Sequence, residues 1–210
     1  MALLDANIVE QLKTYFDKIS EPIEIVSFLG DCNKSKELDS FLLEVDAISD
    51  KLNYTKKLIG EDKVLEENTG ITRPISFTLL KNGERTGINF YGIPGGHEFN
   101  SFILAILGLA GLGKKLEDEQ LAKIQSVTKP LNIETFISLS CTKCPEVIQA
   151  LNVISLSNPN ITTSLVDGGI YPNEVAEKNI QGVPVVYING KQAALGEQSI
   201  EQLITLVVNA

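Results

Sequence analysis

Apolar residues recur along this chain with two periods in alternation, and that alternation predicts a mixed α/β architecture. Ile8, Leu12, Tyr15, Phe16 and Ile19 fall at helical spacing with Asp5 placed as N-cap, which predicts a helix over residues 5–19. The run 22–29 (PIEIVSFL) reads as a strand, and Leu38, Phe41, Leu42, Val45 and Ile48 mark one face of a second helix. A strand is expected over 52–58, then a charged connecting segment at 61–69. Residues 74–80 and 87–91 read as a hairpin turned at Asn82-Gly83, a dipeptide that accepts the positive φ angles of a tight turn. An apolar helix over 98–109 follows, and the glycines of 108–113 break it.

The same plan then repeats. Residues 116–127 read as a helix, 133–139 as a strand, and Pro145 suits the first turn of the next helix, where a missing N–H costs nothing. A strand at 161–167 and a short helix at 173–179 precede a second hairpin, 184–189 with 191–194, again turned by Asn-Gly at Asn189-Gly190; a helix over 199–209 ends the chain. An offset of 110 residues sets Ile133-Glu134 on Ile23-Glu24, Cys141 on Asp31, Cys144 on Lys34 and Pro184 on Pro74. Two βαβ–ββα units in tandem are therefore expected, 1–112 and 113–210, joined near 111–118.

Composition adds exclusions. With 43% apolar and 21% charged residues in 210, the chain is globular in character and long enough to bury a core in each unit. Lys and Arg number 18 against 27 Asp and Glu, a net charge of −9, which disfavours a nucleic-acid partner. No apolar run reaches the roughly 18 residues of a membrane span, and the opening MALLDANIVEQLK lacks the features of a signal peptide. No membrane partner and a cytoplasmic location are expected. Three cysteines are too few for a secreted disulfide framework, so the N-x-T triplets at Asn53 and Asn160 read as chance.

The chemistry gathers at Cys141-Thr142-Lys143-Cys144-Pro145, between a strand and a helix start. Unpaired N–H groups and partial positive charge at a helix N-terminus stabilise a thiolate, and Lys143 adds a cation inside the loop. Two intervening residues let both sulfurs meet, so the pair can cycle between dithiol and disulfide. Cys141 is the expected attacking thiol and Cys144 the resolving one. A zinc half-site is the competing reading, but four ligands are usual and the remaining candidates, Cys32 and His97, lie in the other unit.

Gly182-Val183-Pro184 adds support from about 40 residues downstream, where a thioredoxin-like fold places a cis-proline loop against the two sulfurs. Val183 and Pro184 would then offer free backbone groups to an extended substrate segment, the alternative being an ordinary proline at a strand start. Cys32 has no partner cysteine nearby and reads as a spare thiol. Glu98 admits two readings, a first-turn acid favouring its helix dipole or a base supplied to the other unit. The segment from Gly108 to Lys115 approaches a phosphate-binding loop but has Lys115 where Ser or Thr is required; it reads as a helix end and linker. No GxGxxG occurs, so no flavin or nicotinamide site is expected in this chain.

Taken together, Gly95-Gly96-His97-Glu98-Phe99, Leu139–Pro145 (LSCTKCP), Val147–Asn152 (VIQALN), Val166-Asp167-Gly168-Gly169 and Gly182-Val183-Pro184 resemble the N-terminal domain of the flavoprotein component of alkyl hydroperoxide reductase. The resemblance spans essentially the whole chain. It implies two thioredoxin-like folds fused into one unit, a mixed central sheet flanked by helices, in which the second CxxC relays electrons. These would come from a CxxC in a thioredoxin-reductase-like flavin domain and pass to the disulfide of a partner peroxiredoxin. It implies Cys141 and Cys144 as the relay pair, Glu98 as a proton-transfer group, and FAD and NADH bound elsewhere in a longer parent chain. Thioredoxins carry a buried carboxylate six residues before the first cysteine; here Thr135 stands there, which leaves room for Glu98. The chain is expected to be a separated domain or a stand-alone relative. Tandem-thioredoxin protein disulfide oxidoreductases are the second resemblance, although they commonly keep a CxxC in both halves. An inert interaction module is the third alternative, disfavoured by the intact CxxC.

Overall fold

A computed structural model describes residues 4–210. The chain begins with α1 (Ala6–Phe16), capped by the Asp5 carboxylate accepting from the Asn7 N–H, and continues through β1 (Ile23–Leu29), α2 (Asn33–Asp46) and β2 (Leu52–Leu58). Next come α3 (Lys63–Thr69), β3 (Ser76–Lys81), β4 (Glu84–Tyr91), a 3-10 turn at Gly96–Glu98 and α4 (Phe99–Leu109). The remaining elements are α5 (Asp118–Gln125), β5 (Leu131–Ile137), α6 (Cys144–Leu156), β6 (Ile161–Asp167), α7 (Pro172–Glu177), β7 (Val185–Ile188), β8 (Lys191–Leu195) and α8 (Ile200–Val208).

One element departs from expectation. The charged segment 61–69 contains α3, two turns stabilised by their ends: Asp62 accepts from the Leu65 N–H, and Gly70 closes the helix at φ 76°. Its polar composition leaves only Leu65, packed against the core, and buried Thr69 on the inner side, too little for a periodicity signal.

All strands join one eight-stranded sheet in the order β2-β1-β3-β4-β6-β5-β7-β8. Within each set of four the pattern is the same: first and second strands parallel, first and third antiparallel, third and fourth antiparallel. The sets are welded where β4 runs parallel to β6, Ile88 opposite Thr163 through Tyr91 opposite Val166. That junction puts β6 inside the sheet, and all seven of its residues are buried, including Thr162, Thr163 and Ser164.

The repeat register is only partly a fixed offset. Ile23 faces Lys81 and Ile133 faces Ile188, each partner being the residue before an Asn-Gly turn, so Ile23 and Ile133 correspond at an offset of 110. Val26 faces Thr78, however, while Phe136 faces Val185, which aligns Pro184 with Phe77 and not with Pro74. The third strand of the second set is shorter, and the two prolines occupy different places.

Strand alternation sorts side chains to two faces. On one face, α1, α2 and α4 cover Ile23, Ile25 and Leu79, while α5, α6 and α8 cover Ile133, Val186 and Ile188. Phe77 and Phe90 stack at 4.7 Å, with Phe102 of α4 edge-on to both at 5.2 and 5.5 Å. Ile137, Cys144, Ile148 and Leu165, which follow the linker in sequence, are buried in the same cluster as these first-half residues. The first unit's core extends under the start of α6.

The opposite face carries Val26, Phe28, Phe136 and Val185 beneath α3 and α7, and here Arg73 ties the halves together. Its guanidinium lies 4.0 Å from the Tyr91 ring centre and 4.9 Å from that of Tyr171. It also pairs with Glu134 of β5 at 3.1 Å and Glu174 of α7 at 2.7 Å. The Tyr171 hydroxyl donates to the Pro74 carbonyl at 2.7 Å. Arg73 is 19% exposed, so these contacts are little screened. Truncating Arg73→Ala leaves two carboxylates without their cation and should cost about 2–4 kcal/mol of unfolding free energy in urea. Arg73→Lys should restore only part, because an ammonium cannot stack or fork. An alanine variant within about 0.5 kcal/mol of the parent would remove this residue from the stability account.

Candidate active site

The geometry of the site follows from how the chain leaves β5. After Ile137 the chain turns, the Cys141 N–H bonding the Ser138 carbonyl at 2.9 Å, and α6 then begins at Cys144 with Pro145 in its first turn. Cys141 and Cys144 are joined as a disulfide with Cα atoms 5.6 Å apart. Cys141 is half-buried and Cys144 has no exposure at all. The Cys144 N–H points at Cys141 Sγ from 3.1 Å, so the free donor at the helix start is aimed at the more accessible sulfur. A helix N–H so placed favours a thiolate over a thiol at that sulfur once the disulfide opens.

Across from the sulfurs lies the loop before β7. The Val183-Pro184 peptide is cis, and the Val183 carbonyl oxygen lies 3.9 Å from Cys141 Sγ. Thr142 and Lys143 are both exposed. Lys143 Nζ pairs with Glu197 at 2.8 Å; the ammonium pKa is raised and the Glu197 carboxyl pKa lowered, each chiefly by hydrogen bonding to the other. The cation expected beside Cys141 is thus matched by an anion at close range.

Glu98 is brought in from the other half by a backbone contact. Gly96 has φ +53°, and a Cβ there would sit 2.5 Å from the Leu139 carbonyl oxygen. Only glycine allows this approach. The His97 N–H donates to that same carbonyl at 3.3 Å, two residues before Cys141, while the 3-10 turn and α4 pack along α6. Glu98 has no exposure, and both its carboxyl oxygens are buried without a hydrogen-bond partner. Burial pushes its pKa up to about 7, and the Ser101 hydroxyl eases that rise from nearby without reaching good hydrogen-bond geometry. His97 itself is exposed.

Three further sites are placed by the fold. Thr135 is fully buried on β5, its hydroxyl oxygen without a partner. Cys32 is exposed at the start of α2, and its thiol pKa is lowered chiefly by hydrogen bonding to Ser35 at 3.4 Å. The Asp167-Gly168-Gly169 turn is structural: Asp167 Oδ1 accepts from the Gly169 N–H at 2.9 Å. Among the described residues no cluster of three or more His, Cys, Asp or Glu could hold a metal, and no helix is long and apolar enough to cross a membrane. Sequence reasoning passed over Ser101 and gave Gln149 no role beyond its place in the 147–152 motif; the two face each other between α4 and α6 at 3.2 Å. A signal for Ser101 was present, since it is a polar residue three positions after Glu98 on a helix that is apolar from Phe102 onward.

The raised Glu98 pKa has a definite consequence for stability. The unfolded carboxyl titrates near 4.5 and the folded one near 7, so the folded state binds this proton more tightly. The penalty is absent below the unfolded pKa, grows as pH rises through the window, and is complete above the folded pKa. Relative to the parent with its disulfide intact, Glu98→Gln should gain on the order of 3 kcal/mol between pH about 4.5 and about 8. Denaturation curves at both pH values check this. An unchanged difference between the proteins would sink the burial argument.

Comparison with known proteins accords with this geometry. Residues 131–208 match the family model described as a thioredoxin domain. The alkyl hydroperoxide reductase AhpF of Pseudomonas aeruginosa is 38% identical over 205 residues, covering 98% of this chain and 37% of that relative's length. The crystal structure of the N-terminal domain of Enterococcus faecalis AhpF superposes with a TM-score of 0.91 at 33% identity, over 97% of this chain and 99% of that one. A protein disulfide oxidoreductase from Aeropyrum pernix shares the fold, with a TM-score of 0.87 at 20% identity over 99% of this chain and 94% of the other. The fold is thioredoxin-like, and the chain belongs to the family formed by the N-terminal domains of the alkyl hydroperoxide reductase AhpF.

Proposed function

We propose that this chain is a dithiol–disulfide relay serving the reduction of alkyl hydroperoxides and hydrogen peroxide. The observation that carries the reading is the Cys141–Cys144 disulfide itself, one sulfur accessible and addressed by a helix N–H, the other buried. A donor thiolate attacks Cys141 Sγ, the Cys141–Cys144 bond breaks, and Cys144 leaves as a thiolate that takes a proton. The donor's second thiolate then attacks the mixed disulfide, leaving the donor oxidised and Cys141 as a thiolate. In the onward direction the Cys141 thiolate attacks the acceptor disulfide and expels one acceptor thiolate; Cys144, losing its proton, then attacks Cys141 Sγ, re-forming the Cys141–Cys144 bond and releasing the second acceptor sulfur as a thiolate.

The donor in this proposal is a CxxC of a flavin domain, and the acceptor is the disulfide of a partner peroxiredoxin. The chain spans 37% of the length of the matching relative, and on this reading FAD and NADH bind in the remainder of a longer parent chain. The reading places the relay in the cytoplasm and divides the chain into units at 1–112 and 113–210. Val183 and Pro184 would receive an extended segment of the partner through backbone hydrogen bonds. Thr142 and Lys143 border the attacking sulfur, and the Lys143–Glu197 pair presents both charges to a docking partner.

Glu98 supplies the proton chemistry. Cys141 can trade protons with water directly, whereas Cys144 at zero exposure needs a buried partner. A carboxyl with pKa about 7 on a turn packed against α6 fits that need in both directions. Replacing Cys144 with Ser should trap a mixed disulfide to the peroxiredoxin through Cys141, read by mass spectrometry of the adduct. Attachment through Cys32, or no adduct with the reduced variant, overturns the assignment.

A further inference from the structure

Lys143 is the one cation inside the CxxC loop, and its backbone is tied to the sulfurs. It caps α6, bonded directly to the Cys144 nitrogen that stands 3.1 Å from Cys141 Sγ. A lysine carries its ammonium on a flexible four-carbon stem. From this position such a stem is long enough to bring the charge back toward Cys141 or out to a neighbouring loop. In the oxidised chain it goes out, with Nζ 2.8 Å from Glu197 Oε2.

Glu197 is itself held in place. It lies in the loop between β8 and α8, and the residue before it, Gly196, donates its N–H to the Pro184 carbonyl at 2.8 Å. The carboxylate that takes Lys143 is thus anchored to the same loop whose Val183 carbonyl oxygen lies 3.9 Å from Cys141 Sγ. The pair joins the two loops that flank the disulfide. Glu146, in the first turn of α6, adds its own negative charge to the hold on the ammonium.

Reduction creates a competitor for that cation. A dithiol delivers two electrons, the Cys141–Cys144 bond breaks, Cys144 takes one proton, and Cys141 is left as a thiolate. A cation brought to this thiolate favours the reduced form and makes the disulfide a stronger oxidant. A cation held elsewhere leaves the dithiol the stronger reductant. We propose that Glu197 tunes the relay toward electron donation by holding Lys143 away from Cys141. The inference rests on the reading of Cys141 and Cys144 as a dithiol–disulfide relay. Glu197 acts through Lys143 and is a positioning residue. The side chains of Lys143 and Glu197 are 60% and 48% exposed, so the effect is graded and screened by salt.

The test reads the redox equilibrium, which a merely structural role at an exposed position would not move. The parent and its variants are equilibrated near pH 8 against mixtures of oxidised and reduced dithiothreitol, then alkylated and weighed by mass spectrometry. Glu197→Gln should shift the equilibrium toward the dithiol by up to about fivefold at low ionic strength. Salt at about 1 M should bring it back to the parent. Glu197→Asp keeps the charge and should stay closer to the parent. In a Lys143→Gln background the Glu197→Gln change should have a smaller effect, because no cation is left to release. Glu146→Gln combined with Glu197→Gln keeps the proposal testable if Glu146 takes Lys143 over, and should shift at least as far as Glu197→Gln alone. If neither of these variants departs from the parent, or if the shift is equal with and without Lys143, the inference is overturned while the relay stands. If the parent itself does not interconvert between disulfide and dithiol, the relay reading falls and this inference falls with it.

Discussion

The parallel ladder between β4 and β6, Ile88 to Tyr91 against Thr163 to Val166, is the contact on which the rest of the molecule depends. Two four-stranded sets each have edges with unpaired backbone groups, and joining them here removes two of those edges at once. The junction also fixes where the helices fall. α4, which follows β4, and α6, which precedes β6, come to lie against one another on the same face of the sheet. From that packing follow the burial of Cys144 among first-half side chains and the seating of Glu98 near the head of α6.

The two halves thereby make opposing contributions to one redox centre. The second half offers Cys141 a helix N–H at 3.1 Å, which favours the thiolate. The first half offers a buried carboxyl whose desolvation raises its pKa to about 7. On the proposed function, a sulfur that leaves readily and an acid that holds its proton until neutrality are a matched pair for reversible exchange. Neither half contains both.

Rigidity is supplied on the far face of the sheet. Arg73 reaches from the loop before β3 to β5 and α7, so the strand leading toward Cys141 and the helix leading toward Val183 are held by one side chain. Gly96 does the corresponding work near the sulfurs, where only a residue without Cβ lets the 95–98 backbone meet the Leu139 carbonyl. The first half's own counterpart loop, around Cys32, has kept an activated helix start but a single thiol, which cannot close an intramolecular disulfide there.

Much of this was legible in the residues alone. Alternating periods, Asn-Gly turns and the position of Pro145 specify local geometry, because they act within a few residues of themselves, and the CxxC carries its chemistry in its spacing. The internal repeat was legible too, since its two copies preserve burial patterns. The helix at Lys63–Thr69 was missed because its stability comes from Asp62 and Gly70 at its ends and from tertiary contacts of Leu65 and Thr69 alone on its inner side. Matching Pro74 to Pro184 failed because strand register is set by partners across the sheet, which a linear offset does not see. The sequence by itself therefore determined the strands, all the α-helices but Lys63–Thr69, their order and the cysteine pair. Only the tertiary structure decided that both repeats share one sheet, that Lys143 is answered by Glu197, and that Glu98 is buried. Those outcomes depend on which distant surfaces exclude water from each other, and desolvation is a property of the assembled fold.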